Sequence, residues 1–140
     1  MKLKIAILAC VAALTGCQSL SPPNSASELS GVWQVKSIDG NSTLQRSIVT
    51  MDFSQVVSKV VGSTGCNQYS ALIETSGHEI KVGQAVMTKM ACVPDIASQE
   101  QVFLRSLASI SHYKMMPEQQ ITFYDKSSQP RLVIKQLKSE

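Results

Sequence analysis

Histidine, aromatic residues and charged residues are all scarce in this 140-residue chain. Aromatic residues make up 5% of it and charged residues 16%, and there are only two histidines, His78 and His112. Neither histidine has a second histidine or a cysteine at the spacing that zinc sites use. No serine lies in a Gly-x-Ser-x-Gly elbow. We therefore expect no catalytic residues, no metal site and no cofactor, and we predict that the protein is not an enzyme.

Long apolar runs are also missing. The run from Ile5 to Leu14 is too short to cross a bilayer, which takes about 20 residues, but it suits the core of a signal peptide. It ends in Leu-Thr-Gly-Cys at 14–17, which resembles the bacterial lipobox. We predict a lipoprotein signal peptide at 1–16 and a lipidated Cys17 as the first mature residue. The alternative is an ordinary secretory signal with an incidental cysteine.

Lipidation at Cys17 has several consequences. Two or three acyl chains hold a protein durably on a membrane, so membrane lipid is the first predicted partner. Gln18, in place of the aspartate that retains similar lipoproteins in the inner membrane, favours the outer membrane of a Gram-negative bacterium. The domain would then face the oxidising periplasm. Residues 17–30, which are rich in Ser and Pro, predict a lipid anchor followed by a flexible tether.

The charge balance argues against nucleic acid as a partner. The chain has 13 lysines and arginines and 10 aspartates and glutamates, a net charge of +3. Lys2 and Lys4 leave with the signal peptide, so the mature chain carries 11 − 10 = +1. No basic patch interleaved with aromatic residues remains, and we predict no binding of nucleic acid.

Residues 31–140 have the length and pattern of one small domain. Short alternating runs at 32–38, 48–53, 69–75, 121–125 and 131–137 predict strands. The period changes after Pro94, where Asp95 can cap a helix over about 96–110 that buries Phe103 and Leu107. We predict a mostly β, α+β domain, in which a curved antiparallel sheet packs against one main helix.

Residues 62–69, which read GSTGCNQY, join two β-branched runs and predict a tight turn because of their two glycines. Cys66 in this turn and Cys92 are the only cysteines left for the domain, since Cys10 leaves with the signal peptide and Cys17 carries lipid. We predict a Cys66–Cys92 disulfide. The rival interpretation is a pair of free thiols that serves as a redox or metal site.

These pieces together resemble the META domain family, in particular its HslJ-like bacterial lipoproteins. The matching parts are GVW at 31–33, VGSTGCNQY at 61–69, TKMAC at 88–92, and the helix with Glu100, Phe103 and Leu107. The resemblance covers about residues 31–137. It implies a curved antiparallel sheet with a helix, and a stress-associated role in the envelope. It implies no agreed enzymatic activity.

Three residues are candidate ligand contacts, and each also has a structural interpretation. Trp33 can stack on a ligand or fill the core, and Tyr69 adjoins the same central turn. Asn67 can contact a ligand or bond to local backbone, which asparagine does readily in turns. The methionines at 87, 90, 115 and 116, with Cys92, could capture a soft metal, but methionine more often fills irregular core space.

The sequence therefore predicts a non-enzymatic envelope lipoprotein that supports envelope integrity or stress resistance through binding. One alternative is a carrier for a small apolar ligand or a lipid. Another is a pilot-like chaperone for an outer-membrane protein. An apolar cavity would favour the carrier, and an exposed groove or unpaired sheet edge would favour the chaperone and a partner protein in the envelope.

Overall fold

The computed structural model describes residues 28–56 and 58–137. The predicted signal peptide, Cys17 and most of the predicted tether lie outside this range and remain predictions. Within the described range, no helix has both the length and the apolar character needed to span a membrane.

In residues 28–56 and 58–137 the chain forms ten strands and one long helix, and every strand pair is antiparallel. In order, the elements are β1 (Val32–Ile38), β2 (Asn41–Ser42), β3 (Thr50–Val56), β4 (Lys59–Ser63), β5 (Gln68–Ser76), β6 (Glu79–Val82), β7 (Val86–Met87), α1 (Pro94–Ser109), β8 (Ile110–Met116), β9 (Gln120–Asp125) and β10 (Pro130–Gln136).

The sheet closes on itself, which corrects the predicted architecture. Its strands follow the order β10-β9-β8-β6-β5-β4-β3-β1, and β1 then pairs with β10, as in Trp33 opposite Gln136 and Val35 opposite Ile134. The domain is thus a closed eight-stranded antiparallel barrel with two short extra strands, β2 and β7. The prediction of an open curved sheet packed on a main helix was wrong. Alternation along each strand identifies the buried face, but no local pattern shows that the first and last strands pair.

Side chains fill the interior of the barrel. Alternate residues of each strand point inward, as closed barrels require. Val35, Met51, Phe123 and Ile134 each have 0% exposure. Their packing makes the inside of the barrel a core and leaves the outer face and the two ends for contacts with other molecules.

Helix α1 lies across one end of the barrel, which we call the helix end, and not across the face of a sheet. Ser106 donates a hydrogen bond to Asp39 just after β1 (2.9 Å), and the Leu44 amide donates to the Gln99 side chain (2.7 Å). Phe103 and Leu107 are fully buried, as predicted. The predicted cap at Asp95 was wrong, since the helix begins at Pro94 with no side-chain cap, which suits a proline in the first turn.

The chain enters the barrel at the opposite end, which we call the entry end. Leu29 is buried there, and its carbonyl accepts a hydrogen bond from the Trp33 indole at 2.7 Å. The carbonyl of Ser30 accepts a further hydrogen bond from the side-chain amide of Gln136. The residues before β1 therefore cover this mouth of the barrel.

Candidate functional site

Glycine is required at two positions of the central turn. A Cβ atom at Gly62 would clash with the backbone carbonyl of Thr50, so only glycine lets β4 approach β3 here. Gly65 has a φ of +96°, and a Cβ atom there would meet the side chain of Ser47. The two glycines that marked this turn in the sequence thus serve local packing.

The turn is fastened covalently to the segment before α1. Cys66 and Cys92 form a disulfide with their Cα atoms 6.1 Å apart, as the sequence predicts. The bridge closes a loop across a sequence separation of 26 residues. The pair is accordingly not the site of free thiols that the rival interpretation required.

Asn67 connects three parts of the chain beside this disulfide. Its side-chain oxygen accepts hydrogen bonds from the Thr88 hydroxyl and the Met90 amide, both at 2.8 Å. Its amide nitrogen donates to the Glu100 carboxylate at 2.9 Å. The side chain is 2% exposed. This geometry favours the structural interpretation of Asn67, and its role as a ligand contact stays a prediction.

Glu100 is a buried carboxylate that the sequence analysis did not single out as a core residue. It is 6% exposed and accepts hydrogen bonds from Asn67 and from the Thr64 hydroxyl. Glu100, Phe103 and Leu107 have the i, i+3, i+7 spacing of one helix face, which is the signal that could have revealed it. We call Thr64, Asn67, Glu100 and the Cys66–Cys92 disulfide the bonded corner.

The two aromatic candidates also lie in the core. Tyr69 donates to the Thr50 carbonyl at 3.1 Å and packs edge-on against Phe103 with ring centroids 5.3 Å apart. Burial raises the pKa of Tyr69 far above its usual value. Trp33 is 2% exposed and its indole N–H is bonded. Ligand contact by either residue stays a prediction.

The structure separates the residues that a metal site would need. His78 lies 3.1 Å from Glu28 and edge-on to Tyr113, whereas His112 stacks on Tyr124 on the opposite face of β8. In residues 28–56 and 58–137, no three or more His, Cys, Asp or Glu residues are grouped as metal ligands. The methionines that could capture a soft metal are also far apart, because Met87 follows β6 at the helix end and Met116 ends β8 at the entry end.

In the part of the chain that the structure describes, strands β6 and β8 of the barrel wall are joined by few residue pairs. These strands share a single residue pair, Glu79 with His112. The next positions in that register would place Val82 opposite Ser109, but Ser109 belongs to α1. The Glu79–His112 pair, with the Tyr113 amide donating to the His78 carbonyl at 3.0 Å, directs the Ile80 N–H to Ser111, and the ladder turns the Lys81 N–H towards β5. Within the stretch Ile80–Val82, as far as the structure describes the chain, Val82 therefore has no paired residue on the side of β8. We call this stretch, together with residues 110–112 of β8, the seam.

A groove of about 950 Å³ opens along the seam. Acidic, basic and hydroxyl side chains line it, so it carries both signs of charge. An unpaired strand edge beside a groove is a surface to which an extended polypeptide can add as a further strand. No sequence motif marks this region, and for that reason the sequence analysis missed it. Lining residues include Glu79, Lys81, Val82, Ser109, Ser111 and Lys126.

Comparison with known proteins gives a family and a fold. The META domain model matches residues 27–138. No curated protein matches the chain. The structure is similar to that of a Burkholderia xenovorans protein solved by NMR, with a TM-score of 0.64 and 20% identity over 98% of this chain and 99% of that one.

Two further structures share the fold. A second protein solved by NMR has a TM-score of 0.61 and 19% identity, covering 79% of this chain and 93% of that one. A DUF4847 family protein from Bacteroides vulgatus has a TM-score of 0.55 and 12% identity, covering 80% of this chain and 96% of its own. At these identities the likeness concerns the fold alone. Because the family model spans most of its length, the chain belongs to the META domain family.

Proposed function

We propose that the protein is a non-enzymatic, membrane-anchored envelope lipoprotein that binds an extended polypeptide segment of another envelope protein at the seam. The observation that carries the proposal is the end of β6, where Val82 lies beside a groove and, among the described residues, has no paired residue towards β8. Through such binding the protein would support envelope integrity under stress.

Two features favour a polypeptide over a small apolar ligand or a lipid. The interior of the barrel is packed with side chains, so the fold offers its outer surface for binding. The groove is lined by Glu79, Lys81, Lys126 and three serines beside the apolar Ile80, Val82 and Ile110, and this mixed lining suits a chain that has backbone amides and mixed side chains. The chaperone-like alternative therefore has more support than the carrier alternative.

Anchoring at the outer membrane rests on the sequence. The lipobox-like residues 14–17 and Gln18 support lipidation at Cys17 and outer-membrane sorting. The Cys66–Cys92 disulfide agrees with an oxidising compartment such as the periplasm. Mass spectrometry of the mature N-terminal peptide tests this part, and an unacylated N-terminus beyond Cys17 would contradict it.

Site-specific photo-crosslinking in the intact envelope tests the binding site. A photo-reactive residue replaces Lys81, which lines the groove, or Lys36, an exposed lysine on β1. Lys36 is the matched control because β1 lies four strands from β6 in both directions around the barrel. We expect position 81, and not position 36, to link repeatedly to one segment of an envelope protein.

Two results would count against the site. Identical cross-linked peptides from both positions would show non-specific contact. No cross-linked polypeptide at position 81, in protein that mass spectrometry shows to be acylated, would contradict the proposed function.

A further inference from the structure

Four exposed apolar side chains lie on one arc of the entry end. Val32 is 38% exposed, Met115 43%, Met116 40% and Leu137 43%. They belong to the start of β1, the end of β8 and the residue after β10, and the Leu137 amide donates to the Val32 carbonyl at 2.9 Å. Strands β8, β9, β10 and β1 are consecutive, so the arc spans about 14 Å at the usual strand spacing. The segment between β6 and α1 at the helix end also exposes Val86, Met87, Met90 and Val93. The position of the four rim residues beside the start of the domain, and not apolar character alone, therefore marks them as a membrane contact.

The same end of the barrel holds the segment that leads to the predicted lipid. Glu28 accepts a hydrogen bond from the Tyr113 hydroxyl at 3.1 Å and lies 3.1 Å from the His78 ring. Ten residues, 18–27, lie between it and Cys17. At full extension such a segment reaches about 40 Å, so the lipid would keep this end of the barrel within that distance of the bilayer surface.

Two lysines flank the apolar arc. Lys114 lies over the Tyr124 ring, 5.4 Å from its centroid, and Lys135 lies 3.3 Å from Glu118. Lysine stems can lie along an apolar surface while the ammonium group reaches lipid phosphates. Glu118 and Glu28 balance the two lysines at this end, so the contact rests on the apolar side chains and the lysine stems and not on a net positive charge.

We propose that the entry end of the barrel rests on a phospholipid surface through Val32, Met115, Met116 and Leu137. This contact relies on the proposed lipidation of Cys17 and is independent of polypeptide binding at the seam. It orients the barrel so that the helix end points away from the membrane. The groove extends from Glu79 towards Ser109 of α1, so its part at the helix end then faces the periplasm.

Depth-dependent fluorescence quenching tests the orientation. The acylated protein carries bimane on Met116→Cys or, as the control, on Val86→Cys, and is placed in vesicles of phosphatidylethanolamine and phosphatidylglycerol with brominated acyl chains. Val86 is 69% exposed and lies in β7, towards the helix end. Since Cys66 and Cys92 are bonded to each other, the label has a single target. We expect loss of most fluorescence at position 116 and retention at position 86.

A second pair of variants checks that the apolar rim causes the effect. Met115→Ser with Met116→Ser should reduce the quenching of bimane on Leu137→Cys, whereas Val86→Ser should not. Equal quenching at 116 and 86 in acylated protein would overturn the rim contact alone. Mature protein isolated from the envelope without acyl groups at Cys17 would overturn the anchoring and, with it, the rim contact that relies on the anchor. Cross-links from position 81 are a separate result and decide whether a polypeptide binds at the seam.

Discussion

The bonded corner and the seam lie at either end of α1 and differ in almost every physical respect. In the corner, a disulfide, a buried carboxylate and the Asn67 amide join the turn after β4 to the helix, and each polar side chain is bonded. At the seam, two strands share one residue pair beside an open groove. The corner has little capacity to accept a ligand, whereas the seam has an edge and the space for one.

The residues that stand out in the sequence are therefore not the residues that we propose for binding. The glycines, cysteines and Asn67 that stand out in the sequence form a rigid corner. Residues 80–82 and 110–112, which carry no recognisable motif, form the surface that we propose for binding.

Removing the aromatic packing beside the corner should have the largest effect. Phe103 is fully buried against Tyr69, so Phe103→Ala should lower the free energy of unfolding by about 3–5 kcal/mol. The exposed neighbour Gln101 is the control, and Gln101→Ala should change it by less than about 0.5 kcal/mol. Urea unfolding followed by circular dichroism measures both. Similar losses in the two variants would show that the helix does not pack as described.

Opening the disulfide should come next. The double change Cys66→Ser with Cys92→Ser should cost about 3–4 kcal/mol on the chain-entropy model for a loop of this length. Thermal unfolding of the oxidised, reduced and doubly substituted proteins measures the loss. The cross-link from position 81 should persist in the substituted protein, since the seam lies apart from the bridge. An unchanged melting temperature would contradict the role of the bridge.

Exchanging the amide of Asn67 for a carboxylate should destabilise the corner through charge repulsion. Asn67→Asp places a second carboxylate next to Glu100, which accepts the Asn67 amide at 2.9 Å. Keeping one of them protonated at pH 7 costs about 1.4 kcal/mol per pH unit above its ordinary pKa, so the loss should approach about 3–4 kcal/mol.

The pH dependence and a second substitution sharpen this prediction. The loss should shrink towards pH 5, and adding Glu100→Gln should recover much of it by restoring one amide and one carboxylate. Urea unfolding of the single and double variants at pH 7 and pH 5 gives the coupling free energy between positions 67 and 100. A loss that neither low pH nor Glu100→Gln reduces would contradict a charge-based cause.

Strong alkali should weaken the fold through its buried tyrosines. Burial raises the pKa of Tyr69, and burial with the Glu28 hydrogen bond and charge raises that of Tyr113. Above about pH 10 the unfolded chain loses these protons while the folded chain keeps them, so stability falls as pH rises. Tyr69→Phe should flatten this decline when unfolding is measured between pH 8 and pH 11. The same slope in the variant would show that Tyr69 does not contribute.

Much of the corner could be predicted from the sequence because its signals are local. The glycines, the two remaining cysteines and the alternation around Trp33 each report a constraint on a few neighbouring residues. The META resemblance supported the same segments, and the family match confirms it.

Closure of the barrel and the seam could not be predicted in this way. Pairing of Trp33 with Gln136 joins the two ends of the domain, and nothing in either strand specifies its partner. The seam exists because β8 follows directly from α1, so the residue opposite Val82 is helical. Such consequences of topology have no local signature.

One measurement tests the proposed binding at the seam most directly. A synthetic peptide is made from the segment that cross-links at position 81, and its affinity is measured for the unchanged protein, for Val82→Pro and for Val82→Ala. Because the Gly83 amide donates to Leu72 at 2.8 Å, the alternation of the ladder turns the Val82 N–H away from β5 and towards the seam. Proline removes that donor and keeps the pairing with β5, whereas alanine keeps the donor.

We predict that Val82→Pro weakens binding by about fivefold to tenfold, the value of one hydrogen bond, and that Val82→Ala binds like the unchanged protein. Circular dichroism should show both variants folded. Equal affinity of the peptide for the Val82→Pro variant and the unchanged protein would contradict strand addition at the seam.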